Sequence, residues 1–123
     1  MVEKTGFENL QIYQLAEKLA DYAWAAIQQW KHLEIDTVGK QLVRSADSVG
    51  ANIAEGSGSG STKDNIRFAK IARGSLFETK HWLRQAYKRN LLSDQQVQNF
   101  QETLTILTPK LSAYINALTK KTK

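Results

Sequence analysis

The chain has 123 residues, a net charge of +5 and no cysteine. A chain of this length points to one domain with its own core, burying roughly two-thirds of the unfolded surface. The absence of cysteine excludes a disulfide framework and a thiolate metal site, and no apolar run approaches the ~20 residues of a membrane span. The start, MVEKTGFENL, shows no charged region followed by an apolar one. No signal peptide is read there, and a cytoplasmic protein with no membrane association is expected.

The single proline lies late, and neither β-branched runs nor two-residue alternation occurs, so an all-α chain is expected. A first helix is predicted over about residues 8–32. Ile12, Leu15, Ala16, Leu19, Tyr22, Ala23, Ala26, Ile27 and Trp30 share one stripe at three- and four-residue spacing. Leu10, Tyr13 and Trp24 fall on another side. Scattered surface aromatics are common, but a subunit interface is the sharper reading, because Tyr and Trp are favoured there.

Asp36 is the expected N-cap of a second helix over about residues 37–56, with Val38, Leu42, Ala46, Val49 and Ile53 as its core stripe. Beside that stripe runs a polar ladder of Gln41, Arg44, Ser48, Asn52 and Glu55. It is either a solvated face or a partly buried hydrogen-bonded network, and a network specifies packing only when its members are satisfied. The following GSGSGS, residues 56–61, reads as a flexible connector. It is not a phosphate loop, because that motif needs a preceding strand and a Gly-Lys-Ser/Thr entry into the helix.

Ser61 with Asp64 is a capping-box signature for a third helix over about 62–89. Phe68, Ile71, Ala72, Ser75, Leu76, Thr79, Trp82, Leu83, Ala86 and Tyr87 fall on one broad face of it. Lys63, Arg67, Lys70, Arg73, Lys80, Arg84 and Lys88 fall on the opposite face, with Ile66 and Phe77 inside the cationic stripe. Ser93 with Gln96 opens a fourth helix over about 94–119, whose apolar positions are Val97, Phe100, Leu104, Leu107, Leu111, Tyr114, Ile115 and Leu118. Pro109 is expected to kink it near Thr105 to Thr108. A basic tail, 120–123, follows.

Charge is concentrated in the third helix. Residues 61–90 hold eight of the seventeen basic residues against two acidic ones. A solvated face is the usual account of charge on a helix, but such faces mix signs at i±4. Seven like charges along one side repel unless something anionic is near. The stripe therefore marks a candidate nucleic-acid-binding surface, with Leu10, Tyr13, Trp24, Ile66 and Phe77 as a candidate subunit interface. No catalytic constellation is read. His32 and His81 are the only histidines, neither has metal-ligand spacing to other donors, and no nucleophile–base pair is evident. The core positions are Leu, Ile, Val, Ala and aromatics at regular spacing, which calls for no cofactor.

QLVRSADSVGANIAEG, residues 41–56, resembles the signature of the bacterial four-helix-bundle family named for proteins encoded in intervening sequences of large-subunit ribosomal RNA genes. FENLQIYQLAEKLA (with Phe7, Leu10 and Tyr13) and RFAKIARGSLFETKHWL (with Phe68, Ala72, Gly74, Ser75 and Glu78) extend the resemblance over nearly the whole chain. One departure is the connector. Family members often carry an aromatic and an Arg after Glu-Gly, where this chain has Ser57-Gly58-Ser59. The resemblance implies an up-down-up-down four-helix bundle that assembles as a ring, a homopentamer. It also implies kinship with the accessory protein of diversity-generating retroelements, a basic pentameric barrel that associates with a reverse transcriptase and with nucleic acid. The expected partners are therefore other copies of the chain, RNA or DNA, and a reverse transcriptase or other nucleic-acid enzyme. A protein–protein scaffold ring with no nucleic-acid role is the alternative.

Overall fold

A computed structural model of the chain describes residues 6–122. Among them are four long helices, α1 (Gln11–Ile27), α2 (Lys40–Ser57), α3 (Thr62–Lys88) and α4 (Asp94–Lys120), and no strand. A 3-10 turn, Phe7–Asn9, precedes α1. Adjoining pairs are α1–α2, α2–α3, α3–α4 and α4–α1, which closes a square. Contacts fix the directions. Thr79 meets Ser45 while Asn65 meets Tyr114, and Tyr22 stacks edge-on to Phe100. Low numbers in one helix therefore face high numbers in the next, and the bundle is up-down-up-down, as short connections require. No helix among the described residues is long and apolar enough to cross a membrane.

The core follows helical periodicity. Ile12, Ala16, Leu19, Ala23, Ala26 and Ile27 of α1 are buried, as are Leu42, Ala46, Val49 and Ile53 of α2. From α4 come Phe100, Leu107, Leu111, Ile115 and Leu118. Such a stripe stabilises each helix mainly through tertiary burial, at about 25 cal/mol per Å² of apolar surface removed from water.

The first connection differs from the sequence expectation. Helix α1 stops at Ile27 rather than near residue 32, and Lys31 is extended. Trp30 is therefore off the α1 stripe, although still buried, and its indole Nε1 donates to the carbonyl of Leu91 at 2.8 Å. That bond ties the first connection to the third. The next helical run begins at His32, where the Glu34 carboxylate accepts from the Lys31 amide at 3.0 Å. It passes through a π-helical segment, Ile35–Gly39, into α2. Asp36, the expected N-cap, lies exposed inside that segment, because Glu34 already serves an orphan amide one turn earlier.

The 56–61 stretch is not all connector, since Gly56 and Ser57 complete α2. Gly60 takes the left-handed conformation at φ 85°, and Ser59 Oγ donates to the Gly56 carbonyl at 2.7 Å. Ser61 Oγ accepts from the Asp64 amide and caps α3, while the Asp64 carboxylate turns toward Arg67. The Ser93–Gln96 capping box is complete, with bonds of 2.8 and 3.2 Å. Helix α3 ends in a Schellman arrangement. Asn90 sits at φ 60°, Leu91 N–H donates to the Ala86 carbonyl, and Asn90 N–H donates to that of Tyr87. Helix α4 runs on through Pro109, which lies on its exposed side with Thr105, whose carbonyl loses its helical donor. Lys123, the last residue of the expected basic tail, lies outside the described residues.

The covered face of α3 is narrower than expected. It consists of Ala69, Ala72, Leu76, Thr79, Leu83 and Ala86. Ile71 and Tyr87, placed on that face from the sequence, are 43% and 62% exposed. Ile71 lies about 140° round from Leu76 at ~100° per residue, beyond the reach of α2 and α4. Tyr87 is in the last turn, where a groove opens between α3 and α4.

Candidate nucleic-acid interface

The cationic side of α3 faces away from the core. Lys63, Arg67, Lys70, Arg84 and Lys88 are exposed, and Arg73 and Lys80 are half-buried. From Lys63 to Lys88 the stripe spans about 38 Å at ~1.5 Å per residue. Neighbouring cations at three- or four-residue spacing form five pairs: 63–67, 67–70, 70–73, 80–84 and 84–88. At roughly 0.2–0.5 kcal/mol per like-charge pair, their repulsion opposes the helix by about 1–2.5 kcal/mol.

Little in the chain offsets this. Of the seven, only Arg67 has a carboxylate within 4.0 Å among the described residues, Asp64 at 3.6 Å. The other acid of α3, Glu78, is already engaged. Its Oε2 accepts from Arg44 Nη2 at 2.7 Å and from the Trp82 indole at 3.1 Å. Both acids of the helix are thus engaged, and Lys63, Lys70, Arg73, Lys80, Arg84 and Lys88 make no ion pair within the described residues. Two cations also lie over rings: Arg67 is 4.3 Å from the centroid of Phe68, and Lys80 is 4.7 Å from that of Phe77. Burial lowers the pKa of Lys80, so its charged form is disfavoured where it stands. An anion beside it would relieve that cost.

The polar ladder is the seam between α2 and α3. Arg44 donates to Gln41 Oε1 as well as to Glu78. Ser48 Oγ and Ser75 Oγ are 2.9 Å apart, and Asn52 Nδ2 donates to the carbonyl and hydroxyl of Ser48. Deeper in, Thr79 Oγ1 lies 3.0 Å from Ser45 Oγ and 2.8 Å from the Ser75 carbonyl. Four of the five ladder residues thus join two hydrogen-bonded clusters, one through Glu78 and one through Ser75, that set the register of α3 on α2. Glu55 stays exposed, with no hydrogen bond or ion pair among the described residues. By fixing the rotation of α3, the seam holds the cations outward.

The five apolar residues singled out for a subunit interface are not brought into one patch. Leu10 and Tyr13 pack against the chain's own core, Tyr13 edge-on to Phe7 and 3.6 Å from where a methyl at Gly50 would sit. Trp24 and Phe77 are exposed, and Ile66 is half-buried. Trp24 is on α1 and Phe77 on α3, which occupy opposite corners of the square. His81 is exposed with its ring edge-on to Trp82. No group of three or more His, Asp or Glu side chains among the described residues is placed to hold a metal.

Sequence reasoning passed over the groove between α3 and α4. Lys80, Arg84 and Tyr87 stand along it, and Leu83, Val97 and Phe100 lie within it. A helical wheel marks Tyr87 as apolar-facing, and no local signal shows that the neighbouring helix is too far away to cover it.

A model of the 23S rRNA-intervening sequence protein family matches residues 8–113. Among solved structures, the fold matches the crystal structure of a protein of unknown function from the S23 ribosomal protein family of Bacteroides thetaiotaomicron, with a TM-score of 0.69. The two sequences are 24% identical, and the match covers 87% of this chain and 99% of that one. At that identity the likeness speaks for the fold alone. No curated protein matches the chain.

Proposed function

The chain belongs to the 23S rRNA-intervening sequence protein family, and from that premise we propose that it is a non-enzymatic, oligomeric protein that binds nucleic acid through the outer face of α3. The binding residues are Lys63, Arg67, Lys70, Arg73, Lys80, Arg84 and Lys88. The observation that carries this reading is that six of these seven cations lack a carboxylate partner among the described residues. A polyphosphate backbone supplies what the helix lacks, with affinity that scales with the number of cations engaged. Assembly into a ring, which the family resemblance suggests is pentameric, repeats the stripe in every subunit and strengthens its field. A nucleic-acid-handling partner, such as a reverse transcriptase, fits the same surface if its docking face is acidic.

The test is a titration of duplex and single-stranded RNA and DNA over 50–200 mM salt. With about six phosphates engaged, affinity should fall on the order of 10³-fold across that range. A double charge reversal, Lys70→Glu with Arg84→Glu, should remove binding at all salts. Affinity that stays flat with salt, or no binding at 50 mM, overturns the proposal. A scaffold ring without nucleic acid is favoured instead by the exposed Trp24, Leu33 and Phe77. Sedimentation read together with the titration separates the two: an assembly that comes apart with Trp24→Ala or Phe77→Ala, in a parent that binds no polynucleotide at 50 mM salt, supports the scaffold.

A further inference from the structure

We propose that the groove between α3 and α4 is a seat for one unpaired base of a single-stranded polynucleotide whose backbone runs along the α3 cations. This inference rests on the α3 reading above and names the form of nucleic acid that the surface takes. The groove encloses about 360 Å³, within the range of sites that hold small planar ligands. Its floor is apolar, formed by Leu83 and Phe100, both nearly covered. Its rim is cationic, with Lys80 and Arg84 on α3, and no carboxylate lines it. Neither of these cations has an ion pair among the described residues.

Two further side chains distinguish this groove from a plain phosphate site. Tyr87 stands at its edge with 62% of its surface exposed, one turn beyond Arg84 and on the groove side of α3. An exposed ring beside an apolar floor presents a face on which a base can stack, and every base has such a face. Gln101 supplies an amide, donor and acceptor together, at the opposite wall on α4. Lys80, Arg84 and Tyr87 recur at spacings of four and three, so they follow one line along α3. Phosphates can therefore meet the two cations while the adjoining base turns inward. A duplex keeps its bases stacked and paired, and cannot present one to the groove without unpairing it. Half-burial of Lys80 strengthens its pull on any phosphate set beside it, because that pair is less screened by salt.

The test uses the full chain with labelled 20-mers of oligo-rU and oligo-dT, and a duplex of equal length, in anisotropy titrations at one low salt concentration. Parent, Tyr87→Phe, Tyr87→Ala and Gln101→Ala are compared, each first shown by melting to be folded. Tyr87→Ala is expected to weaken single-strand binding about tenfold, the scale of one base–aromatic stack. It should leave duplex binding within twofold of the parent, and Tyr87→Phe should keep the single-strand affinity. The rU and dT arms each test the seat, and a selective loss with Tyr87→Ala in either supports it. Equal loss for single strand and duplex, or no loss in either, overturns the seat while leaving the α3 reading intact. An acidic amphipathic peptide that binds the parent, loses affinity with Tyr87→Ala and leaves single-strand binding untouched also overturns it, making the groove a protein-docking site. If the parent binds no polynucleotide at low salt, the α3 reading falls first and the seat falls with it.

Discussion

Glycine-to-alanine substitutions at two helical positions, Gly56 in α2 and Gly74 in α3, should move stability in opposite directions. Both gain about 1 kcal/mol of helix propensity. What the added methyl meets decides the rest. At Gly56 it would lie 2.8 Å from Asn65 Oδ1, 2.9 Å from Phe68 Cβ and 3.2 Å from the Asn65 carbonyl oxygen. The last two are fixed to the backbone of α3, so relief requires moving that helix, and with it the Asn65 side chain that donates to Tyr114 of α4. Overpacking of this kind costs about 3 kcal/mol at the upper end of its usual range, leaving a net loss of about 2 kcal/mol. At Gly74 the methyl meets no atom within 4 Å, and the propensity gain of ~1 kcal/mol stands. For a 123-residue chain with an unfolding entropy of about 2.1 cal/mol/K per residue, 1 kcal/mol corresponds to about 4 °C. Calorimetry should therefore show Gly56→Ala melting about 8 °C below the parent and Gly74→Ala about 4 °C above it. Gly56→Ala melting above the parent would refute the argument, because propensity would then outweigh contact there, and so would Gly74→Ala melting below it.

Asp47 is the clearest pH lever. Asp47 is exposed, yet partial desolvation of its carboxylate, and then the neighbouring Asp21 carboxylate, raise its pKa, so the folded chain keeps this proton over a narrow window in which the unfolded chain has released it. Its contribution is fully present below the ordinary carboxylate pKa and is lost as pH rises through the raised value. Asp47→Asn should therefore melt slightly above the parent at pH 7, with the gap closing on acidification; a gap independent of pH would remove the explanation. Asn90→Ala should cost about 1 kcal/mol and Asn90→Gly nothing, since φ there is 60°; urea midpoints check both. The Arg44–Glu78 pair is partly exposed on both sides, so a double-mutant cycle of Arg44→Ala and Glu78→Gln should give a coupling of about 0.5–1 kcal/mol, shrinking in 1 M salt. A coupling near zero at low salt would mean that the α2–α3 register rests on the deeper Thr79–Ser45 contact.

Much of the bundle was legible in the linear chain because its signals are local. Ser61 and Ser93 announce helix starts through amides three residues on, and the stripes of α1, α2 and α4 are set by side chains three and four places apart. The polar ladder was visible as a pattern, but whether it was solvated or buried was not, since that depends on Ser75, Glu78 and Thr79 arriving from another helix. The end of α1 was misplaced because Trp30 fits the stripe by spacing, while its indole is drawn out of helical register by the Leu91 carbonyl, 61 positions away. Asp36 was a sound capping residue by type, overtaken by Glu34 and a π-helical turn.

Helix count, family membership and the concentration of positive charge on α3 are properties of residue order alone, because periodicity, capping and like-charge crowding act between near neighbours. Chain folding settled the matters that need two helices at once. Glu78 was committed to Arg44 of α2 and Asp64 serves Arg67 alone, so six of the seven α3 cations stayed without an acid among the described residues. Ile71 and Tyr87 were left uncovered, and α3 and α4 parted to leave a groove between them. A wide apolar arc presents more surface than one neighbour can cover, and which edge stays bare depends on the distance and rotation of the adjoining helix, quantities that no single segment encodes.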